Sequence, residues 1–449
     1  VPALAFDGFV FTHRAIEERR IRLGYALTAG RGERIDFEET LDLPPSLGPL
    51  APTDAAAEAV LAGLHLAAGT SYWKTCLPLR FVLDAPLSEE GASFWNRVYT
   101  LGLAEFFYKN GIDPAAHRPF RPAGPASPIV PARAAEGPPL VLWGGGKDSV
   151  VSHEVLRMAA EPHELLTIGR AWEPVRRSAG VAGAVLHVAE RRIDPKLLAL
   201  NEAGALNGHV PVSAYLAFAG VLIALIARRP AVIASNEASA SSGSTTWHGI
   251  DVNHQWSKSL EFERMMRAWL ARHVEGGPEY VSLLRPLSEL RITKAFATHP
   301  AYFASVSSCN GNFRQGAPAA GRWCLTCPKC VFVALMARPF VDDAAYHILF
   351  GGDPLSDPAN ATHIEELLGL RGVKPFECVG TPDETAAALH LAKAAGRFLP
   401  HGVMTVFNEG VARAELDLDA TTARALARGA LHELTSRRLG QLDAYLDRH

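Results

Sequence analysis

Gly144-Gly145-Gly146-Lys147-Asp148-Ser149 carries the residue types that hold a phosphate. Glycines let a backbone adopt positive φ and come close to an anion. The apolar run Leu140-Val141-Leu142-Trp143 leads in, and Val150, Val151, Val155 and Leu156 follow at helical spacing. The glycines therefore sit between a buried strand and a helix start, whose free N–H groups point at the anion. The loop is not a Walker A sequence, which needs G-x-x-x-x-G-K-[ST]. Here Asp148 follows the lysine and the glycines are contiguous. A strand–helix turn without a ligand is the plain structural alternative.

A second constellation is Cys309, Cys324, Cys327 and Cys330, spaced C-x14-C-x2-C-x2-C. Thiolates at C-x2-C spacing can grip one tetrahedral ion, and four of them close a structural zinc site with no open position. An iron–sulfur cluster also fits four cysteines, and buried free thiols are the simpler alternative. A third is Asn253-His254-Gln255-Trp256-Ser257-Lys258-Ser259-Leu260-Glu261, polar side chains around one aromatic. Lys258 and Glu261 share a face if the helix has begun there. The loop Lys374-Pro375-Phe376-Glu377-Cys378-Val379-Gly380 holds a lone Cys before a clear helix start at Thr381-Pro382-Asp383-Glu384.

The surrounding pattern says how these groups are placed. Strands are expected at Phe9–Phe11, Arg20–Leu27 and Ile35–Glu39, with helices over 54–69 and 92–108. This first part, 1–118, reads as a small α+β module, in which Ser71-Tyr72-Trp73-Lys74 is a polar-aromatic cluster. Residues 119–138 contain six prolines and read as a linker. From 139 to 341 short apolar strands (140–143, 165–168, 184–188, 231–234) alternate with helices (149–160, 211–228), the pattern of a parallel sheet covered on both faces. Ligands of such sheets sit beyond the carboxyl ends of the strands. Gly144–Ser149, Thr167-Ile168-Gly169-Arg170 and Ser235-Asn236-Glu237 all fall at those ends. The rest, 342–449, reads as mostly helical, with helices at 382–396 and 419–446.

Composition bounds the function. The 449 residues are 48 % apolar with a net charge of −3, so cores are ample and no electrostatic case for nucleic acid exists. The longest apolar run, Tyr215–Ala227, is about 13 residues and too short for a membrane span. The opening Val1–Asp7 lacks the basic and apolar regions of a signal peptide, and six cysteines in this length do not suggest a disulfide scaffold. A cytoplasmic protein is expected.

Gly145, Gly146, Asp148 and Ser149 match the Ser-Gly-Gly-x-Asp-Ser signature of the PP-loop ATP pyrophosphatases, with Gly144 in the place of the usual Ser. Over several hundred residues the chain resembles one branch, the UDP-N-acetyl-α-D-muramoyl-L-alanyl-L-glutamate epimerases of bacterial cell-wall synthesis. The carrying motifs are the glycine loop, Asn207–Val212, Ser235–Ala240, Val252–Glu261, Cys327–Cys330 and Lys374–Gly380. Ala238 stands where that family usually has Arg.

The resemblance implies an α/β fold: a PP-loop (adenine nucleotide α-hydrolase-like) parallel sheet core, an N-terminal α+β module and a helical C-terminal region. It implies inversion of the terminal L-Glu of UDP-MurNAc-L-Ala-L-Glu through an acyl-adenylate. ATP and Mg²⁺ would be used, AMP and pyrophosphate released, and coupling to the ligase that adds L-Glu is a possible partnership.

On that chemistry Gly144, Gly145, Gly146 and Ser149 cradle phosphates, Lys147 screens their charge, and Thr167, Gly169, Ser235 and Asn236 complete the nucleotide site. Asp148 is the first choice for Mg²⁺ and Glu237 the second. His254, Lys258, Glu237 and Cys378 are the acid/base candidates. Asn253, Gln255, Glu261, Lys74 and Glu377 are candidates for binding substrate. Two other readings stay open. One is a PP-loop enzyme acting on another substrate: a nucleobase, as in 7-cyano-7-deazaguanine synthase, or another peptide ending in Glu. The other is a nucleotide-binding protein without catalysis.

Overall fold

The computed structural model describes residues 6–30, 32–313 and 322–449. Its centre is one nine-stranded mixed sheet. Across it the order is Glu279–Ser282, Ala231–Ala234, Leu140–Leu142, Glu164–Ile168, Leu186–Arg192, Arg34–Asp42, Arg20–Thr28, Gly8–Glu17 and Arg80–Val82. The first five strands are parallel. Short and buried on both faces, they need no polar alternation. The N-terminal strands form an antiparallel meander instead. It extends the same sheet, because Thr40–Asp42 pairs antiparallel with Glu190–Arg192.

Leu140–Leu142 comes first in sequence among the parallel strands but lies in the middle of them, between Ala231–Ala234 and Glu164–Ile168. Chain connections therefore leave this strand towards opposite sides, and the crevice beyond its carboxyl end is a topological switch point. The glycine loop and Ser235–Asn236 both open onto that crevice.

Two hydrophobic cores hold the sheet. One is built on Ala55–Trp73 and Val212–Ile226, with Trp73, Trp95 and Tyr99 fully buried. Val212–Ile226 is apolar all round because helix packs on one side of it and sheet on the other. The other core joins Lys147–Met158, Glu289–Phe296, Pro328–Ala337 and Pro382–Ala394.

Several expected boundaries shift. The helix expected over 92–108 is two, Glu89–Leu101 and Ala104–Asn110, broken where Pro211 packs against Gly102. The helix expected over 419–446 is also two, Leu418–Leu426 and Ser436–Leu446. Between them Gly429 N–H donates to the Pro286 carbonyl at 2.7 Å, and Thr435 caps a new helix start. The third apolar run, expected at 184–188, becomes a strand later, at Leu186–Arg192, since Leu41 and Asp42 recruit Arg191 and Glu190 as partners. The proline-rich stretch is pinned where Val130–Pro131 pairs with Val274–Glu275. No helix among the described residues is long and apolar enough to cross a membrane. Val1–Ala5, on which most of the signal-peptide expectation rests, lie outside the described residues.

Candidate active site

The glycine loop is shaped by its neighbours. Gly145 has φ +75°, and a Cβ there would stand 2.7 Å from the Val175 Cα. Only glycine fits both constraints. Gly146 is the N-cap of the twelve-residue helix Lys147–Met158, and no side chain caps it. The first helical N–H groups are left for a ligand. A Cβ on Gly144 would meet nothing within 4 Å, so the loop faces open space. The Thr167 hydroxyl donates to the Trp143 carbonyl at 2.7 Å and braces the loop from behind. Gly169, at φ +109°, ends the neighbouring strand outside the cavity wall.

A cavity of about 260 Å³ opens here. Gly144, Gly146, Asp148, Ser149, Ser235, Asn236, Lys258 and Cys378 line it, together with Ser307, Ser308 and Lys329. Residues separated by more than 200 positions thus share one wall. Other expected site residues serve as struts. Asn253 donates to the Ala240 carbonyl at 2.9 Å and accepts from Gln255 N–H. Gln255 Nε2 donates to the Val379 carbonyl at 3.2 Å, holding the Cys378 loop. Glu377 accepts from Lys329 N–H at 2.8 Å. Lys74, buried, donates to Asn207 Oδ1 at 2.9 Å.

Lys258 and Glu261 do not share a helix face. Ser259 caps the helix Leu260–His273, so Lys258 lies in the turn before it. Lys258 Nζ goes to Cys378 Sγ at 3.1 Å, while Glu261 pairs with Arg97 and accepts from Trp256.

A buried charge network sits below the cavity. The Lys147 ammonium bridges Asp148 and Glu289, and Lys329 reaches the same Glu289 at 3.2 Å and the Cys378 carbonyl. Burial opposes ionisation of Glu289, but the two lysines hold it at about 2. Glu237 makes no ion pair among the described residues. Burial first, then Glu289 and Asp148, push it up to about 7 despite Lys258. Arg285, 1 % exposed, binds Glu263 and also the carbonyls of Glu237 and Lys258, so it fixes both of their backbones.

On the other side of Cys378 stands His254. Its Nδ1 lies 2.5 Å from Glu105 Oε2, and its ring is 4.4 Å from that of His209. Burial disfavours the Cys378 thiolate, yet Lys258 and a hydrogen bond from His254 outweigh it and bring the thiol down to about 6. Burial likewise opposes charge on His254, but Cys378 and Glu105 raise it to about 9. Near neutral pH the pair is therefore thiolate and imidazolium. Glu105, His209 and His254 place ligating atoms within 4.8 Å of one another. Lys109 already neutralises Glu105, so the cluster reads as a hydrogen-bonded chain and not as a cation site.

The four cysteines Cys309, Cys324, Cys327 and Cys330 converge, with their sulfurs within 4.8 Å of one another. This is compatible with a structural metal such as zinc. Cys327 also caps Pro328–Ala337, the helix that carries Lys329 to the cavity.

Residues 2–283 match a family model described as the MurL N-terminal domain, and residues 305–421 one described as the MurL C-terminal domain. The chain belongs to the MurL family. It is similar to three proteins named UDP-N-acetyl-alpha-D-muramoyl-L-alanyl-L-glutamate epimerase. That of Micromonospora sp. is 41 % identical over 399 residues, 86 % of each chain. That of Salinispora tropica is 43 % identical over 373 residues, 82 % of this chain and 80 % of the relative. That of Xanthomonas oryzae pv. oryzae is 39 % identical over 357 residues, 79 % of each. No solved structure matches.

The cavity wall draws on both matched segments: the glycine loop, Ser235, Asn236 and Lys258 lie in the first, Lys329 and Cys378 in the second, while Glu237 and His254 stand behind the wall. Sequence reasoning missed Glu105, Arg285, Glu289 and the side chain of Lys329. Lys329 carried a signal, since it stands inside the Cys327–Cys330 motif. Glu289 follows the helix cap Ser288 and read as an ordinary first-turn acid. Nothing in the sequence distinguishes Glu105 from a surface glutamate of an amphipathic helix.

Proposed function

We propose that this MurL-family chain inverts the terminal L-Glu of UDP-MurNAc-L-Ala-L-Glu to D-Glu in peptidoglycan precursor synthesis. ATP adenylates the glutamate carboxylate, with release of pyrophosphate and then AMP. The names of the relatives support the epimerisation. The observation that carries the chemistry is Cys378, with the Lys258 ammonium 3.1 Å from its sulfur, in the same cavity wall as an uncapped, glycine-lined helix start. The central parallel strands and their switch point support a PP-loop architecture.

The order of events follows from electrostatics. An α-proton beside a carboxylate is hard to remove, because the carbanion forms next to an existing negative charge. Adenylation removes that charge, and the acyl carbonyl can then take up the electron pair as an enolate. Phosphate binds at the N–H groups of Gly144–Ser149. Cys378, held as thiolate, removes the α-proton. Glu237, near 7 and so able to carry a proton at neutral pH, returns one from the other side. Lys258 acts on both groups. Water then cleaves the adenylate.

Asp148 pairs with Lys147 through Oδ1, but its side chain stays part-exposed on the cavity wall, which leaves the second oxygen for a cation. Asp148, on the cavity wall, would hold Mg²⁺, a hard ion that prefers carboxylate oxygen and neutralises phosphate charge when bound. The four cysteines would hold zinc in a closed, structural role. We place the protein in the cytoplasm, where ATP and nucleotide-linked precursors are available, and in functional coupling with the ligase that adds L-Glu.

The test is incubation with ATP, Mg²⁺ and UDP-MurNAc-L-Ala-L-Glu in D₂O, followed by mass and chiral analysis. Deuterium at the glutamate Cα together with D-Glu and AMP is expected. AMP without deuterium would redirect the adenylate to another acceptor, and neither product would overturn the assignment.

A further inference from the structure

We infer that Glu105 is a positioning residue for the proton-transfer thiol, acting through His254 in a buried Glu105–His254–Cys378 chain. Glu105 lies at the start of the helix Ala104–Asn110, 149 residues before His254, which is itself 124 residues before Cys378. It is 4 % exposed, and its Oε2 is 2.5 Å from His254 Nδ1. A carboxylate on Nδ1 fixes the ring's orientation, and Cys378 is the ring's other hydrogen-bonding neighbour. Nucleophile, base and orienting carboxylate in one line is the general arrangement that activates a side chain. Here it prepares a thiolate for proton transfer.

The neighbours define what Glu105 contributes. Lys109 pairs with it from its own helix, and His209 approaches its Oε2 at 3.7 Å. Burial, then the neighbouring His254, push His209 down to about 3, so it stays neutral and brings no charge of its own. Burial opposes ionisation of Glu105, but His254 leads the contacts that hold it at about 2. Around Cys378 the other charges are Lys258 and Lys329, with Lys374 farther along the same loop. Lys258 and Lys329 keep an attraction for the thiolate, so losing Glu105 weakens the thiolate without abolishing it. The sign is definite: an uncharged side chain at 105 lets His254 lose its proton sooner, and Cys378 then loses one of its two closest cationic partners. Its pKa rises.

The catalytic consequence rests on Cys378 being the base proposed above; the ionisation does not, and it can be read without turnover. Alkylation of Cys378 by iodoacetamide is followed against pH by peptide mass spectrometry in the full-length protein, for wild type, Glu105→Gln, Glu105→Asp, His254→Gln and the double variant. The midpoint is expected to move up by about one unit in Glu105→Gln, a tenfold loss of thiolate below it. Glu105→Asp should recover part of the shift, and the double variant should move no further than His254→Gln alone. Deuterium exchange at the glutamate Cα should show the same upward move of its acidic limb. An unchanged alkylation midpoint in folded Glu105→Gln, or additive shifts in the double variant, overturns the proposal. If Glu105→Gln does not fold, an unshifted midpoint in His254→Gln does so equally. A shifted alkylation midpoint with no α-exchange in the wild type would uphold the chain of contacts and reject the epimerase reading.

Discussion

Lys258 Nζ lies 3.1 Å from Cys378 Sγ, across 120 residues of sequence. One comes from the turn Trp256–Lys258 just before the helix Leu260–His273, the other from a loop between C-terminal helices. The loop is held down by Gln255 on Val379 and by Lys374 on the Ser242 carbonyl. The Phe376 ring also packs 5.5 Å from that of Tyr108. Removing the ammonium by Lys258→Met should raise the Cys378 pKa and slow α-proton exchange by roughly 100-fold or more. AMP formation should fall much less, because Lys258 is not part of the glycine loop. Equal losses in both, measured by deuterium uptake and AMP release, would show that Lys258 acts in adenylation instead.

The rate should depend on pH as a narrow bell. Cys378 must be ionised, so kcat/KM falls as pH drops through about 6. Glu237 must carry a proton, so it falls again as pH rises through about 7. In Glu237→Gln the basic limb should vanish with most of the activity. A profile flat from pH 5 to 9 would exclude this acid/base pair.

Gly145→Ala combines positive φ with a Cβ 2.7 Å from the Val175 Cα. The strain should cost on the order of 1–3 kcal/mol and distort the glycine loop. Thermal unfolding and ATP titration are expected to show a lower Tm and much weaker nucleotide binding. Gly144→Ala, where the added methyl meets open space, should keep the wild-type Tm.

The purified protein should contain about one zinc ion per chain, held by the four cysteines. Cys327→Ser should lose it and lower Tm by roughly 5–10 °C. Because that cysteine also caps the helix bearing Lys329, activity should fall with the metal. Elemental analysis that finds no metal in active, freshly purified protein would leave four free thiols in its place.

Local information sufficed for part of the molecule. A run such as Leu140–Trp143 followed by glycines can form little other than a buried strand and a turn. Cys324, Cys327 and Cys330 converge because the chain between them is only a few residues long. The Thr381–Glu384 box is formed as expected, with Glu384 accepting from Thr381 N–H at 2.7 Å. Such features depend on neighbours a few residues away, so they can be read directly. The helix breaks at Gly102 and near Gly429 were not legible, since each depends on a distant chain segment, Pro211 or Pro286.

The acid/base chemistry belongs to the tertiary structure. The sequence by itself determined which groups were available: a glycine loop, carboxylates, His254, Lys258 and Cys378. It did not determine their protonation, which depends on burial and on charges brought from elsewhere in the chain. Glu237 rises because Glu289 and Asp148 lie near it in a buried site, and Cys378 falls because Lys258 and His254 do. Glu105 became visible only once the fold set it against His254. Electrostatic interactions act through space and strengthen where water is excluded, so the same residue types become acid or base only when the fold has placed them.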